Sequence, residues 1–199
     1  PTETDYSLVQ TSAALEAWIA RARAAGTVAF DTETTSLDAG RAELVGFSLS
    51  VQPGEACYVP LTHRATDLLA DVETIEQIPM DEAIALIKPL LKDPAVLKIG
   101  QNIKYDMRIM ARHNVTIAPI DDSMLLSYVL DGGLHGHGMD ELSLLHFDHK
   151  PIPFKEVAGT GKNQVTFDHV PLAEARDYAA EDADITLRLH QLLRPRLVH

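Results

Sequence analysis

Asp31-Thr32-Glu33 stands at the end of an apolar run, Val28-Ala29-Phe30. Strand side chains alternate with a period of two, so the run predicts Asp31 and Glu33 on one face and Thr32 on the other. Two carboxylates side by side on a buried strand repel each other and lose hydration, which is costly unless a cation or a shared proton neutralises them. A divalent cation with a preference for oxygen ligands, such as magnesium, meets that need. An acidic pair where a strand gives way to a turn would read the same way, so other carboxylates must decide between the two.

Two more candidates follow from helix spacing. Tyr178, Asp182, Ile185 and Leu189 fall on one stripe of a long helix predicted from Pro171 to Leu193, with Pro171 near its first turn. That stripe turns Asp182 towards the core, where it either joins a site or bonds a backbone amide. The neighbouring stripe, Asp177, Glu181, Asp184 and Arg188, reads as the solvated face. Asn102, Asp106 and Ile109 share a stripe of a helix expected from Asn102 to His113, which could equally be an ordinary polar face.

The elements that must position these groups follow from periodicity and turn chemistry. Ser12 is expected to cap a helix ended by Gly26, and strands are expected at Thr27 to Glu33, Glu43 to Val51 and Ala56 to Leu61, the last two joined by a type II turn at Gln52-Pro53-Gly54-Glu55. Asp67 to Pro79 reads as loop. A helix from Asp81, weakened near its end by Pro89, precedes a short strand from Val96 to Gly100. After the Asn102 helix and a short stretch at Val115 to Ile117, helices are expected at Asp122 to Leu130 and Met139 to Phe147, separated by a flexible connector, Asp131 to Gly138. Pro151 to Gly161 reads as a loop with room for one helical turn. The pattern predicts an α/β fold with a mixed sheet, an antiparallel meander followed by parallel strands, flanked by helices.

The 199 residues, 46% of them hydrophobic, suit a single domain, 1–199. No apolar run reaches the length of a membrane span and no secretory leader stands at the start, which predicts an intracellular, cytoplasmic protein. One cysteine, Cys57, excludes an internal disulfide and a cysteine zinc cluster. The 17 basic and 29 acidic residues give a net charge of −12, which argues against nonspecific grip on nucleic acid unless some acids hold cations that face phosphate.

Asp31-Thr32-Glu33, Asn102-Ile103-Lys104-Tyr105-Asp106 and Tyr178-Ala179-Ala180-Glu181-Asp182, in that order, resemble the three motifs of the DnaQ-like exonucleases, and in particular the 3′ to 5′ proofreading domain of bacterial family A DNA polymerases. Gly100 to Asp106, Gly161 to Phe167 and Tyr178 to Thr186 resemble the polymerase I form, and the similarity covers nearly the whole chain. The resemblance implies a ribonuclease H-like fold and removal of nucleoside 5′-monophosphates from single-stranded or frayed DNA by a two-metal mechanism. Asp31, Glu33, Asp106 and Asp182 would hold two divalent cations, Mg2+ or Mn2+ with Zn2+ possible at one site, and Tyr178 would orient the attacking water. Thr34, Leu37, Gln101, Asn102 and Phe154 would contact the strand, although Phe154 could instead be a core aromatic.

The implied setting is bacterial and nucleoid-associated, with no membrane partner and a polymerase domain in the same natural chain. Nothing resembling one follows His199, so both an excised domain and a naturally short chain stay open. His135 and His137 stand where the family has a basic contact, and in a glycine loop they read as flexible rather than as zinc ligands. Gly159-Thr160-Gly161-Lys162 lacks the first glycine and the final hydroxyl of a phosphate loop. An exoribonuclease of the ribonuclease D kind and a catalytically silent DNA-end-binding domain are the competing readings.

Overall fold

The computed structural model describes residues 4–64 and 75–198. Among these, six strands form one sheet in the order β1-β4-β3-β2-β5-β6: β1 (Asp5–Leu8), β2 (Thr27–Thr34), β3 (Leu44–Gln52), β4 (Glu55–Pro60), β5 (Leu97–Gly100) and β6 (Ile120–Asp122). β2, β3 and β4 make the antiparallel meander, and β5 and β6 add in parallel beyond β2. The expected α/β mixed sheet is therefore present. β1 was not foreseen: four residues are too few to show a period, and it is held by parallel pairing with β4, Tyr6 opposite Ala56.

Helices cover both faces of the sheet. On one side α1 (Ser12–Ala25) and α2 (Met80–Leu91) pack with Phe30, Phe47 and Leu49 in the main core. The cap of α1 is Thr11 rather than Ser12, its hydroxyl accepting from the Ala14 amide, and Gly26 closes the helix with φ 71°. α3 (Lys104–Arg112) lies at this side too, while α4 (Ser123–Asp131), α5 (Met139–Phe147), α6 (Phe154–Ala158) and α7 (Leu172–Leu193) build the rest. α7 lies across the second face, where Ala175 and Ala179 pack against Val45 and Tyr58, and Leu187 against Ala29. Its small residues let the helix approach the strands closely. Gly46 serves the same closeness: a Cβ there would stand 2.4 Å from the Tyr58 hydroxyl oxygen.

Three expectations need correction. Glu181 and Asp184 are not on a solvated face: they are 7% and 0% exposed. Asp184 accepts the Tyr6 hydroxyl at 2.9 Å and the Gly54 amide at 2.8 Å, because β1 and the β3–β4 turn cover the face that a helical wheel leaves open. Asn102 is not helical but precedes α3 with φ 61°, its amide donating to Asp122 Oδ1 at 3.0 Å. The Gly132 to Gly138 connector is anchored at His137, which is buried, 2.7 Å from Ser127 Oγ through Nδ1 and with its ring 3.8 Å from that of Tyr128 at a 37° tilt, while Leu134 stays exposed. Of the expected loop at Asp67 to Pro79, 75–79 carries no regular element and 67–74 lies outside the described residues.

His63 ties β4 to the start of α7. Its Nε2 is 2.8 Å from the Tyr58 hydroxyl and its Nδ1 3.1 Å from the Val170 carbonyl, and burial lowers its pKa from 6.5 to about 4. A group with a depressed folded pKa stabilises fully above its unfolded value and loses that contribution as pH falls through the folded one. Wild type is therefore expected to lose roughly 3 kcal/mol relative to His63→Asn between pH 7 and pH 4, read from denaturant melts at each pH.

Candidate active site

β2 ends at the mouth of a cleft of about 640 Å3, where the alternation of the strand decides which groups enter it. Asp31 and Glu33, with Ala29, face α7, while Phe30 belongs to the core on the α1–α2 side. α7 brings Asp182 to the pair, so that one oxygen from each of Asp31, Glu33 and Asp182 lies within 4.8 Å of the others. Asp106 approaches from α3 instead. It is buried, and its Oδ1 accepts both the Thr32 amide at 2.9 Å and the Thr32 hydroxyl at 2.5 Å, so Thr32 fixes it beside the other three rather than among them.

All four carboxylates have pKa values pushed well above the ordinary carboxylate range. Burial is the largest cause for each. Asp182 next raises Asp31, Asp31 raises Glu33 and Asp106, and Glu181 raises Asp182. Among the described residues no Lys, Arg or His pairs with any of them. Glu33 Oε1 is buried without a hydrogen-bond partner. A carboxylate with an orphaned oxygen, grouped with two other carboxylates and with no cation among the described residues paired to them, belongs to a donor set suited to a hard divalent ion.

Of the residues predicted from sequence, Thr34, Leu37, Phe154 and Tyr178 line this cleft together with Asp31, Glu33 and Asp182. Leu37 is 96% exposed on the turn after β2. The Thr34 hydroxyl is engaged within that turn, 2.6 Å from Tyr105 Oη and donating to the Ser36 carbonyl at 3.0 Å. Phe154 is 39% exposed, its ring 6.0 Å from Tyr178 in a T-shaped pair and 6.4 Å from Phe167 in a stacked one, so it is a cleft wall and not a core aromatic. Asn102 lines a neighbouring groove with Lys104 and Arg108, joined to the cleft through Tyr105. Gln101 lines neither; its amide donates to the His137 carbonyl at 2.9 Å and accepts Ser123 Oγ at 2.5 Å.

Two contributors were not assigned a role from sequence. Tyr105 donates to the Ser36 carbonyl at 2.5 Å and so holds the turn that carries Leu37. Gln164 to Phe167 also line the cleft. Both lie inside stretches whose order marks the family, but neither has a periodicity that points a side chain at Asp31.

The sequence matches the model of the family described as 3′-5′ exonuclease over residues 6–198. The chain belongs to this 3′-5′ exonuclease family. The exonuclease chain is 51% identical over 203 residues to the DNA polymerase I of Rhizobium leguminosarum, covering 96% of this chain and 20% of that protein. Against the DNA polymerase I of Pseudomonas aeruginosa it is 45% identical, covering 98% and 21%. It thus spans about a fifth of these relatives, and it is an exonuclease domain of the DNA polymerase I type.

Solved structures of low sequence identity share the ribonuclease H-like fold. Escherichia coli RNase D superposes with a TM-score of 0.72 at 17% identity, covering 96% of this exonuclease and 45% of that chain. Brucella melitensis NrnC with bound Mg2+ gives 0.67 at 19%, covering 99% and 83%. Among the described residues no helix is long and apolar enough to cross a membrane.

Proposed function

We propose that the cleft binds the 3′ end of a single DNA strand, and that Asp31, Glu33, Asp106 and Asp182 hold two divalent cations, magnesium or manganese with zinc fitting one place, for stepwise release of nucleoside 5′-monophosphates. The observation that supports this reading best is the convergence of Asp31, Glu33 and Asp182 with no cation among the described residues paired to them. Asp31, grouped with Glu33 and Asp182 and acting electrostatically on Asp106, would be a central ligand of the set. When bound, the ions lower the pKa of water and screen charge gathering on phosphorus and on the leaving oxygen.

The chain's own groups do the positioning. Burial, then Asp182, Glu33 and Asp31, raise the Tyr178 pKa, so its phenol keeps its proton at every physiological pH. It can therefore fix a water beside Glu33 through a neutral hydroxyl, adding no charge to an anionic site. Leu37 and Phe154 both offer apolar surface to the cleft, and stacking or wedging there tolerates any base. Asn102, in the next groove, would meet the strand upstream, whereas Gln101, held by the His137 carbonyl and Ser123, supports the segment that carries Asn102.

DNA is favoured over RNA because the relatives of 45 and 51% identity are DNA polymerases, whereas RNase D shares the fold at 17%. Those relatives are about five times as long, which supports a polymerase domain in the same natural chain.

The test is incubation of 5′-labelled single-stranded DNA and RNA of one sequence with MgCl2 or MnCl2, beside EDTA. A ladder shortening from the 3′ end of the DNA, with 5′-mononucleotides as product, is expected. Digestion of the RNA alone, or digestion undiminished by EDTA, overturns the reading. Tyr178→Phe is expected to lower kcat by about ten- to a hundredfold through a misplaced water, with the stabilisation by added metal unchanged, as read by single-turnover rates and thermal melts.

A further inference from the structure

Glu181 precedes Asp182 on α7 but faces away from the acidic cleft, into a larger one of about 920 Å3 lined by Tyr6, Phe147, His149 and Ile152 among others. A fifth carboxylate so close works against the site, since it is the largest cause after burial of the raised Asp182 pKa. Both its oxygens are nevertheless committed: Oε1 is 2.8 Å from His149 Nε2, and Oε2 accepts the Ile152 amide at 2.6 Å.

That amide is a leverage point. Ile152 lies between Pro151 and Pro153, whose rings each fix φ. Pro153, with φ −72° and ψ 140°, leads directly into α6, whose first residue is Phe154. Five residues are too few for α6 to hold itself as a helix, so its place depends on what anchors its entry. The two ends of the connection are then both on α7: Glu181 grips the backbone before Phe154, and Tyr178, three residues earlier, meets the Phe154 ring.

We propose that Glu181 is a positioning residue that acts through the Ile152 amide and Pro153 to hold Phe154 against Tyr178, where the ring meets the terminal base of the strand. This rests on the proposed reading of the cleft as a 3′-end site. A charge on Glu181 is not what the role needs; an acceptor oxygen is.

The experiment compares Glu181→Ala, Glu181→Gln, Phe154→Ala and the Glu181→Ala/Phe154→Ala double variant on single-stranded DNA with Mg2+. Glu181→Ala and Phe154→Ala are each expected to raise KM about tenfold with kcat within about twofold, the loss of one base stack, and the double variant to be no worse than either. Glu181→Gln, which keeps an oxygen for the Ile152 amide, is expected within about twofold of wild type in KM. Should Glu181→Ala not fold, Glu181→Met fills the same space without an acceptor.

A second reading of the same tether uses Phe154→Trp in a Trp18→Phe background. Glu181→Ala there is expected to expose the indole to acrylamide, and Glu181→Gln to leave it protected. Additive effects in the double variant overturn the proposal, as does a Glu181→Gln variant as impaired as Glu181→Ala. If Phe154→Ala leaves KM unchanged while quenching shows the indole released by Glu181→Ala, the tether stands and the base-stacking role of Phe154 falls.

Discussion

Asp31→Asn is expected to lower 3′-end hydrolysis about a thousandfold or more and, without metal at pH 8, to raise the melting temperature. Both effects have one origin. Asp31 shares the site with Glu33 and Asp182, and burial, then Asp182, raises its pKa. Asparagine keeps the shape and removes a charge that the empty chain must carry against its neighbours, so the fold gains. On the proposed reading the same change removes a ligand of the divalent site, and electrostatic stabilisation of this kind commonly contributes more to catalysis than any other effect. Initial rates with MgCl2 and thermal melts in EDTA test the two halves separately. A variant that is inactive and also less stable would mean that Asp31 supports the fold rather than opposing it.

Metal-free protein is expected to become less stable as pH rises from about 5 to 8.5, and added Mg2+ or Mn2+ to restore it increasingly over the same range. Asp31, Glu33, Asp106 and Asp182 all have folded pKa values raised above the unfolded ones. Over the window from the ordinary carboxylate value, about 4, up to the raised values, the folded chain binds more protons than the unfolded chain. Unfolding free energy therefore falls as pH climbs through that window, by about 1.4 kcal/mol for each tenfold change in proton affinity. His63 acts in the opposite sense below pH 6.5, so the metal-free optimum lies on the mildly acidic side of neutral.

Cations compete with the protons for the same oxygens, which is why their effect grows with pH. Each cation at about a hundred times its Kd adds roughly 2.7 kcal/mol, or about 5–10 °C in a chain of this size. Calorimetry in EDTA and in MgCl2 across the range measures both slopes. A metal-induced shift that shrinks as pH rises would sink the assignment of these four groups as ligands.

The groups that make the site were legible because each carries its own local signal. The period of two placed Asp31 and Glu33 together, and the i, i+4 spacing of Tyr178 and Asp182 placed both on one side of α7. Thr32, set aside as pointing away, proved to be the residue that secures Asp106. No pattern within one element could show this, because the two are 74 residues apart and meet only once α3 docks at the end of β2.

The same limit explains Glu181 and Asp184. Their stripe on α7 is polar, and a polar stripe alone reads as solvated. Asp184 is buried because its partner is Tyr6, 178 residues away on a strand four residues long. Asn102 left the helix predicted for it because Asp122, from β6, accepts the Asn102 and Ile103 amides and draws the chain into a left-handed turn.

Sequence alone was enough for the mixed α/β order of the chain and for the faces that Asp31, Glu33, Tyr178 and Asp182 take on their elements. Periodicity and capping are short-range properties, settled within one or two turns of backbone. Only the tertiary structure decided what covers each face: that three carboxylates form one set with the fourth held beside it by Thr32, that Phe154 is a wall and not core, and that the far side of α7 is closed. Those outcomes depend on pairing between segments distant in the chain, where each contact is set by the docking of whole elements and leaves no trace in the local pattern.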